Sequence, residues 1–126
     1  MKVTGKCFCG AVRYRATVSA KDVSICYCGD CTRVIGSALT TWVHLPADDF
    51  EFIEGTPTRF ESSPGITRTF CGRCGTSLTY IYKDRTRVDV TTSSFDEPGE
   101  FSPNSEGPGR PPWVDALAAG RMERGD

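Results

Sequence analysis

Seven of the 126 residues are cysteines, and they are grouped in tight clusters rather than spread along the chain. Cys71-Gly72-Arg73-Cys74-Gly75 has the spacing of a zinc knuckle: two intervening residues let both sulfurs reach one ion, and Gly75 permits the tight turn that follows. A knuckle supplies half of a tetrahedron. The expected other half is Cys7 and Cys9, just before Gly10. Bringing in a pair across a loop of about 60 residues costs roughly 3 to 4 kcal/mol of closure entropy, against on the order of 10 to 16 kcal/mol from structural zinc binding. The competing reading of these four is a set of buried free thiols.

Cys26-Tyr27-Cys28-Gly29-Asp30-Cys31 is a different arrangement. Three thiols can wrap one face of an ion, and three protein ligands with an exchangeable fourth position make a catalytic zinc. A divalent ion held by three thiolates carries one net negative charge, so it is a poor Lewis acid and a better seat for a soft ligand such as a substrate thiol. Two other readings stand beside it. Asp30 could close the site as a structural fourth ligand, or the trio could be an unmetallated redox cluster. Arg33 and Lys83 are available to neutralise an anionic substrate, and Gly29, Gly36 and Ser37 to donate hydrogen bonds. His44, the only histidine, is read as an ordinary strand residue because no second imidazole accompanies it.

The rest of the composition narrows the setting. The cysteine count is odd, neighbours as close as Cys7 and Cys9 do not suit disulfide geometry, and Met1 to Cys9 has no apolar stretch of signal-peptide type. Metal therefore explains the cysteines better than disulfides do, and a cytoplasmic protein is expected. A formal net charge of -1 without a basic stripe argues against nucleic acid as a partner, and no apolar run approaches membrane-spanning length.

Short strands must position these groups. Apolar and polar residues alternate through Val12, Tyr14 and Ala16, and again at Leu39 to Val43, Leu78 to Tyr82 and Val88 to Thr92. Shorter β-like pieces lie at Phe50 to Ile53, Thr58 to Glu61 and Ile66 to Phe70, separated by turn signals at Glu54-Gly55, Ser63-Pro64-Gly65 and Lys83-Asp84. Only Gly29 to Ile35 reads as a helical turn, ending at Gly36. Trp42, Phe50, Phe52 and Phe60 are expected in the core. Residues 97–112, rich in Pro, Gly and Ser, read as a loop, followed by an apolar anchor at Trp113-Val114. The expectation is one all-β domain over residues 1–126, built of short antiparallel strands.

The order of motifs resembles a known family. Gly5-Lys6-Cys7-Phe8-Cys9-Gly10-Ala11-Val12-Arg13-Tyr14 opens the chain, then come Cys26-x-Cys28-x-x-Cys31, Gly36-Ser37, Phe70-Cys71-x-x-Cys74-Gly75-Thr76-x-Leu78 and Pro112-Trp113-Val114. This is similar to the glutathione-dependent formaldehyde-activating enzyme family, which includes centromere protein V. The resemblance implies a β-tent fold like that of the Rab exchange factor group, with small sheets stapled by zinc. It implies a structural zinc on Cys7, Cys9, Cys71 and Cys74 and a catalytic, substrate-side zinc on Cys26, Cys28 and Cys31. It also implies carbon–sulfur lyase chemistry that joins formaldehyde to glutathione as S-hydroxymethylglutathione. The chain departs from the family pattern at Tyr27, where a His is common, and at residues 104–109, where a His-Ile-Trp-like stretch is replaced by a shorter one. The alternative to an enzyme is a non-catalytic zinc module that binds a protein partner.

Overall fold

The computed structural model describes residues 1–125. Arg13-Tyr14-Arg15-Ala16-Thr17 alternates exposed and buried side chains without a break, so it can be stable only as a strand with one face against a core. Ten such strands form: β1 (Lys2–Lys6), β2 (Arg13–Thr17), β3 (Val23–Cys26), β4 (Thr40–Pro46), β5 (Phe50–Glu54), β6 (Thr58–Ser63), β7 (Ile66–Phe70), β8 (Ser77–Ile81), β9 (Arg87–Thr91) and β10 (Ser105–Glu106). Two seven-residue helices, α1 (Gly29–Ile35) and α2 (Pro112–Ala118), and three short 3-10 helices at Ala47–Asp49, Thr92–Ser94 and Pro98–Glu100 complete the set among the described residues. The chain is all-β in class.

The strands make two sheets. One has three strands in the order β1-β2-β5; the other has seven in the order β10-β3-β4-β9-β8-β7-β6. All pairings are antiparallel except that between β10 and β3. The shared core joins Tyr14, Ala16 and Val12 of the small sheet's region to Val23, Val43, Leu45, Leu78, Val88 and Val90 of the large one. Tyr14 is fully buried, and its hydroxyl finds Ser94 Oγ at 2.7 Å, which in turn donates to the Thr91 carbonyl. This connection lets a buried phenol bridge the sheets without an unsatisfied polar atom. Gly5 backs directly onto the Tyr14 ring, close enough that any side chain would overlap it, and an isolated bridge pairs Gly5 with Phe95.

Several expectations need correction. β1 and β3 carry no clear period-two signal: β1 is a mostly exposed edge strand, and β3 is a four-residue central strand that runs into the cysteine motif. Phe60, expected in the core, is 55% exposed because β6 is the edge of the large sheet. Residues 97–112 are not wholly a loop: β10 pairs with β3 through Ser105 and Glu106. Trp113 is 41% exposed at the start of α2, so it is a weak anchor. Proline at the first helical position explains that start, since its missing N–H is not needed there.

Gly5→Ala is expected to destabilise the protein by about 1–3 kcal/mol, since the added methyl must displace the Tyr14 ring or the Ser94 carbonyl 2.6 Å away. Gly99→Ala, which meets nothing within 4 Å, should stay within about 0.5 kcal/mol of the parent. Urea denaturation of the two variants checks the contrast.

Candidate metal centres

The first centre is made by two turns of the same design. Between β1 and β2, the Gly10 N–H donates to the Cys7 carbonyl at 3.1 Å and the chain turns at Gly10 with φ +81°. Between β7 and β8, the Gly75 N–H donates to the Cys71 carbonyl at 2.8 Å, with Gly75 at φ +84°. Each glycine accepts a left-handed conformation that a side chain would oppose. The turns present Cys7, Cys9, Cys71 and Cys74 with all four sulfurs within 4.8 Å of one another.

Two of these spacings test the fit of a metal. Cys7 and Cys9 sulfurs lie 3.6 Å apart, and Cys9 and Cys71 sulfurs 3.8 Å apart. A tetrahedral zinc with bonds of about 2.3 Å places its sulfurs about 3.8 Å from each other, whereas a disulfide needs about 2.05 Å. Backbone N–H groups already point at the sulfurs: Val12 to Cys7 at 3.3 Å, and both Arg73 and Cys74 to Cys71 at 3.4 Å. The Thr76 hydroxyl lies 3.2 Å from Cys74 Sγ and, with the Thr76 N–H, holds that thiol down to about 5. These donors favour thiolate, the form that binds metal. The four residues fit zinc.

The second centre lies at the C-terminal end of β3 and the start of α1. Cys26, Cys28 and Cys31 bring their sulfurs within 4.8 Å of one another. Cys28 is the N-cap of α1; burial would raise its thiol, but the Cys31 N–H at 3.4 Å and the neighbouring thiols outweigh that and lower it. Cys31 is buried, and burial pushes its thiol up to about 12 even though the Arg68 guanidinium donates to its sulfur at 3.5 Å. A cation is therefore needed to hold all three as thiolates. Among the described residues, no imidazole or carboxylate joins the trio, and Asp30 stays outside it. The residues fit a three-coordinate metal with one position open.

An open cleft of about 650 Å³ runs along α1, lined by Tyr27, Asp30, Arg33 and the Gly36-Ser37 turn; no cysteine lines it, although Tyr27 and Gly29 flank Cys28 in the chain. Tyr27 donates to Glu106 of β10 at 2.9 Å, and Arg110 binds both Glu106 and Asp115 of α2. The stretch after residue 97 is thereby tied to Tyr27, which lines the cleft. Another hollow, of about 600 Å³ between Lys2, Arg15, Phe50 and Phe101, contains no cysteine and is separate from both centres.

Some anticipated donors are already committed. The N–H groups of Gly36 and Ser37 both donate to the Thr32 carbonyl as the C-cap of α1, so they cannot serve a substrate. Lys83 packs over Gly65 in the β6–β7 turn and does not line the cleft, whereas Arg33 does. Arg68 had no signal as a site residue, because a lone arginine in a strand looks like a surface residue until the fold buries it. His44 is also more than an ordinary strand residue. Its Nε2 lies 2.7 Å from Ser24 Oγ, and its Nδ1 lies 2.6 Å from Asp89 and 2.6 Å from the Arg87 guanidinium, with Tyr82 also donating to Asp89. Hydroxyl, imidazole and carboxylate stand in the order used for acyl transfer. Ser24, however, lies within a strand paired on both sides rather than at a turn that would present it to a substrate, so the row acts as a polar clamp across β3, β4 and β9.

Comparison with known proteins follows from this geometry. A family model described as glutathione-dependent formaldehyde-activating enzyme matches residues 2–107. A crystal structure of a Rhodobacter sphaeroides protein, a structural-genomics target, superposes with a TM-score of 0.69 at 19% identity, covering 82% of this chain and 99% of that one. At that identity the likeness concerns the fold alone. No curated protein sequence matches the chain.

Wild-type protein is expected to carry two zinc ions per chain by elemental analysis. Cys28→Ser should keep one and still melt cooperatively. Cys71→Ser should lose the cooperative transition, because structural zinc binding, on the order of 10 to 16 kcal/mol, matches or exceeds the whole stability of a typical domain. Thr76→Val removes a donor that stabilises the Cys74 thiolate, so protons displace the first metal at a higher pH than in the parent. An acid titration with a zinc-sensitive dye reads that shift.

Proposed function

The chain belongs to the glutathione-dependent formaldehyde-activating enzyme family, and from that premise we propose that it adds a small thiol, glutathione or a relative, to an aldehyde. The observation that supports this reading is the three-cysteine centre, which has no fourth protein donor among the described residues and whose Cys28 is exposed. In this proposal Cys7, Cys9, Cys71 and Cys74 hold a structural zinc, and Cys26, Cys28 and Cys31 hold the substrate-side one. A zinc ion held there supplies a position at which a thiol gives up its proton near neutral pH.

The addition balances without a redox partner. The thiolate sulfur forms a bond to the carbonyl carbon, the carbon–oxygen π pair moves onto oxygen, and that oxygen takes up the proton the thiol released. The reverse is a carbon–sulfur lyase reaction. The protein's part is to hold and orient the reactants. The Cys28 N-cap fixes the trio against α1, and Tyr27, tied to Glu106 and Arg110, forms a rigid wall. Arg33 in the last turn of α1 offers the cleft a cation for a substrate carboxylate. A centre of this kind keeps its thiols only in reducing surroundings, which favours the cytoplasm.

Zinc-replete protein with ¹³C-formaldehyde and glutathione, followed by exchange NMR, tests the proposal against the uncatalysed background. The expected result is faster exchange between free and thiol-bound formaldehyde, lost in Cys28→Ser. Exchange at the background rate with both metals in place would leave the non-catalytic binding module as the better reading. Arg33→Ala is expected to raise KM for glutathione several-fold with little change in kcat, since it removes binding shared by ground and transition states.

A further inference from the structure

Strand β7 buries a cation that has no carboxylate partner. Arg68 is only 5% exposed, and none of the ion pairs among the described residues includes it. Its guanidinium is held in one orientation by three contacts. Nε donates to Ser62 Oγ at 2.9 Å, the plane stacks 4.8 Å from the centre of the Tyr80 ring, and Nη2 donates to Cys31 Sγ at 3.5 Å. The remaining nitrogen, Nη1, is buried without a partner. A buried guanidinium needs an anion, and an orphaned donor on it needs an acceptor. The anion within reach is the three-cysteine centre, which carries one negative charge once a divalent ion holds three thiolates.

The contact is to one ligand of the trio: Nη2 is on the Cys31 sulfur, while Nη1 is enclosed by protein. Arg68 therefore acts on the centre from its buried side, through its charge and through Cys31.

We propose that Arg68 is the resident counter-charge of the three-cysteine centre, so that the centre selects anions over neutral ligands. This rests on the open-centre reading given above. Arg68 acts as a positioning residue. It cancels the centre's negative charge, which would otherwise repel an incoming thiolate, and it holds Cys31 in place. Lysine would keep the charge but lose the fork.

The test uses the full chain loaded with cobalt(II) at both centres, with Cys28→Ser identifying the bands of the four-cysteine centre. Azide, an anion, and imidazole, a neutral donor, are titrated at pH 8 while the visible spectrum of the second centre is followed. Wild type is expected to prefer azide, and Arg68→Met to lower the azide-to-imidazole affinity ratio on the order of tenfold or more. Arg68→Lys should restore part of it. An unchanged ratio in Arg68→Met, with the four-cysteine bands intact, overturns the proposal. If that variant loses those bands, Arg68→Gln, which keeps a donor without charge, decides by the same ratio. Silence of the wild-type spectrum toward both probes would instead sink the open-centre reading itself.

Discussion

Four sulfurs from two turns, one turn on each sheet, meet at spacings a single tetrahedral ion can bridge. Much of the architecture depends on that meeting. The small sheet is a three-stranded layer with exposed edges, and a chain of this length has limited apolar surface with which to hold it. The cysteine turns tie β1–β2 to β7–β8 at one end, while Tyr14 and Ser94 tie the sheets through the core. The two turns share a design because they share a task. Each must place sulfurs around a common point while leaving backbone N–H groups free to stabilise thiolate.

The same chemistry is put to a different use in the second group. Here the sulfurs come from one continuous stretch, so they cost little entropy to gather but cover only one side of an ion. What makes the arrangement asymmetric is its surroundings. Buried Arg68 of the large sheet holds the buried Cys31, while Cys28 is exposed. A cation on the buried side and an exposed sulfur on the other give such a centre a direction.

The wall of the cleft is tied together by residues that are distant in the chain. Tyr27 lines the cleft, and its hydroxyl reaches Glu106 of β10. Arg110 and the Tyr27 hydroxyl hold Glu106 below the usual carboxylate range. The residue between the first two cysteines of the trio and the stretch around residue 106 thus contact each other.

The cysteine spacing, the glycines after each pair, the helical turn at Gly29–Ile35 and seven of the ten strands were legible in the residues themselves. All are local: period-two alternation, a two-residue gap between sulfurs, a glycine where φ must be positive. The strands that escaped, β1, β3 and β10, are short, exposed or interrupted by the metal motifs, and exist because neighbouring strands offer them hydrogen bonds. Phe60 was misplaced because residue type does not reveal which strand becomes an edge. Arg68 and His44 show the same limit at the level of function. Whether an arginine is solvated or buried against a thiolate, and whether a histidine stands alone or between Ser24 and Asp89, depends on residues far away in the chain. Ligand spacing is written within a few positions and can be read there. Burial, charge pairing and the open side of a metal centre arise from contacts between distant segments, so only the tertiary structure decides them.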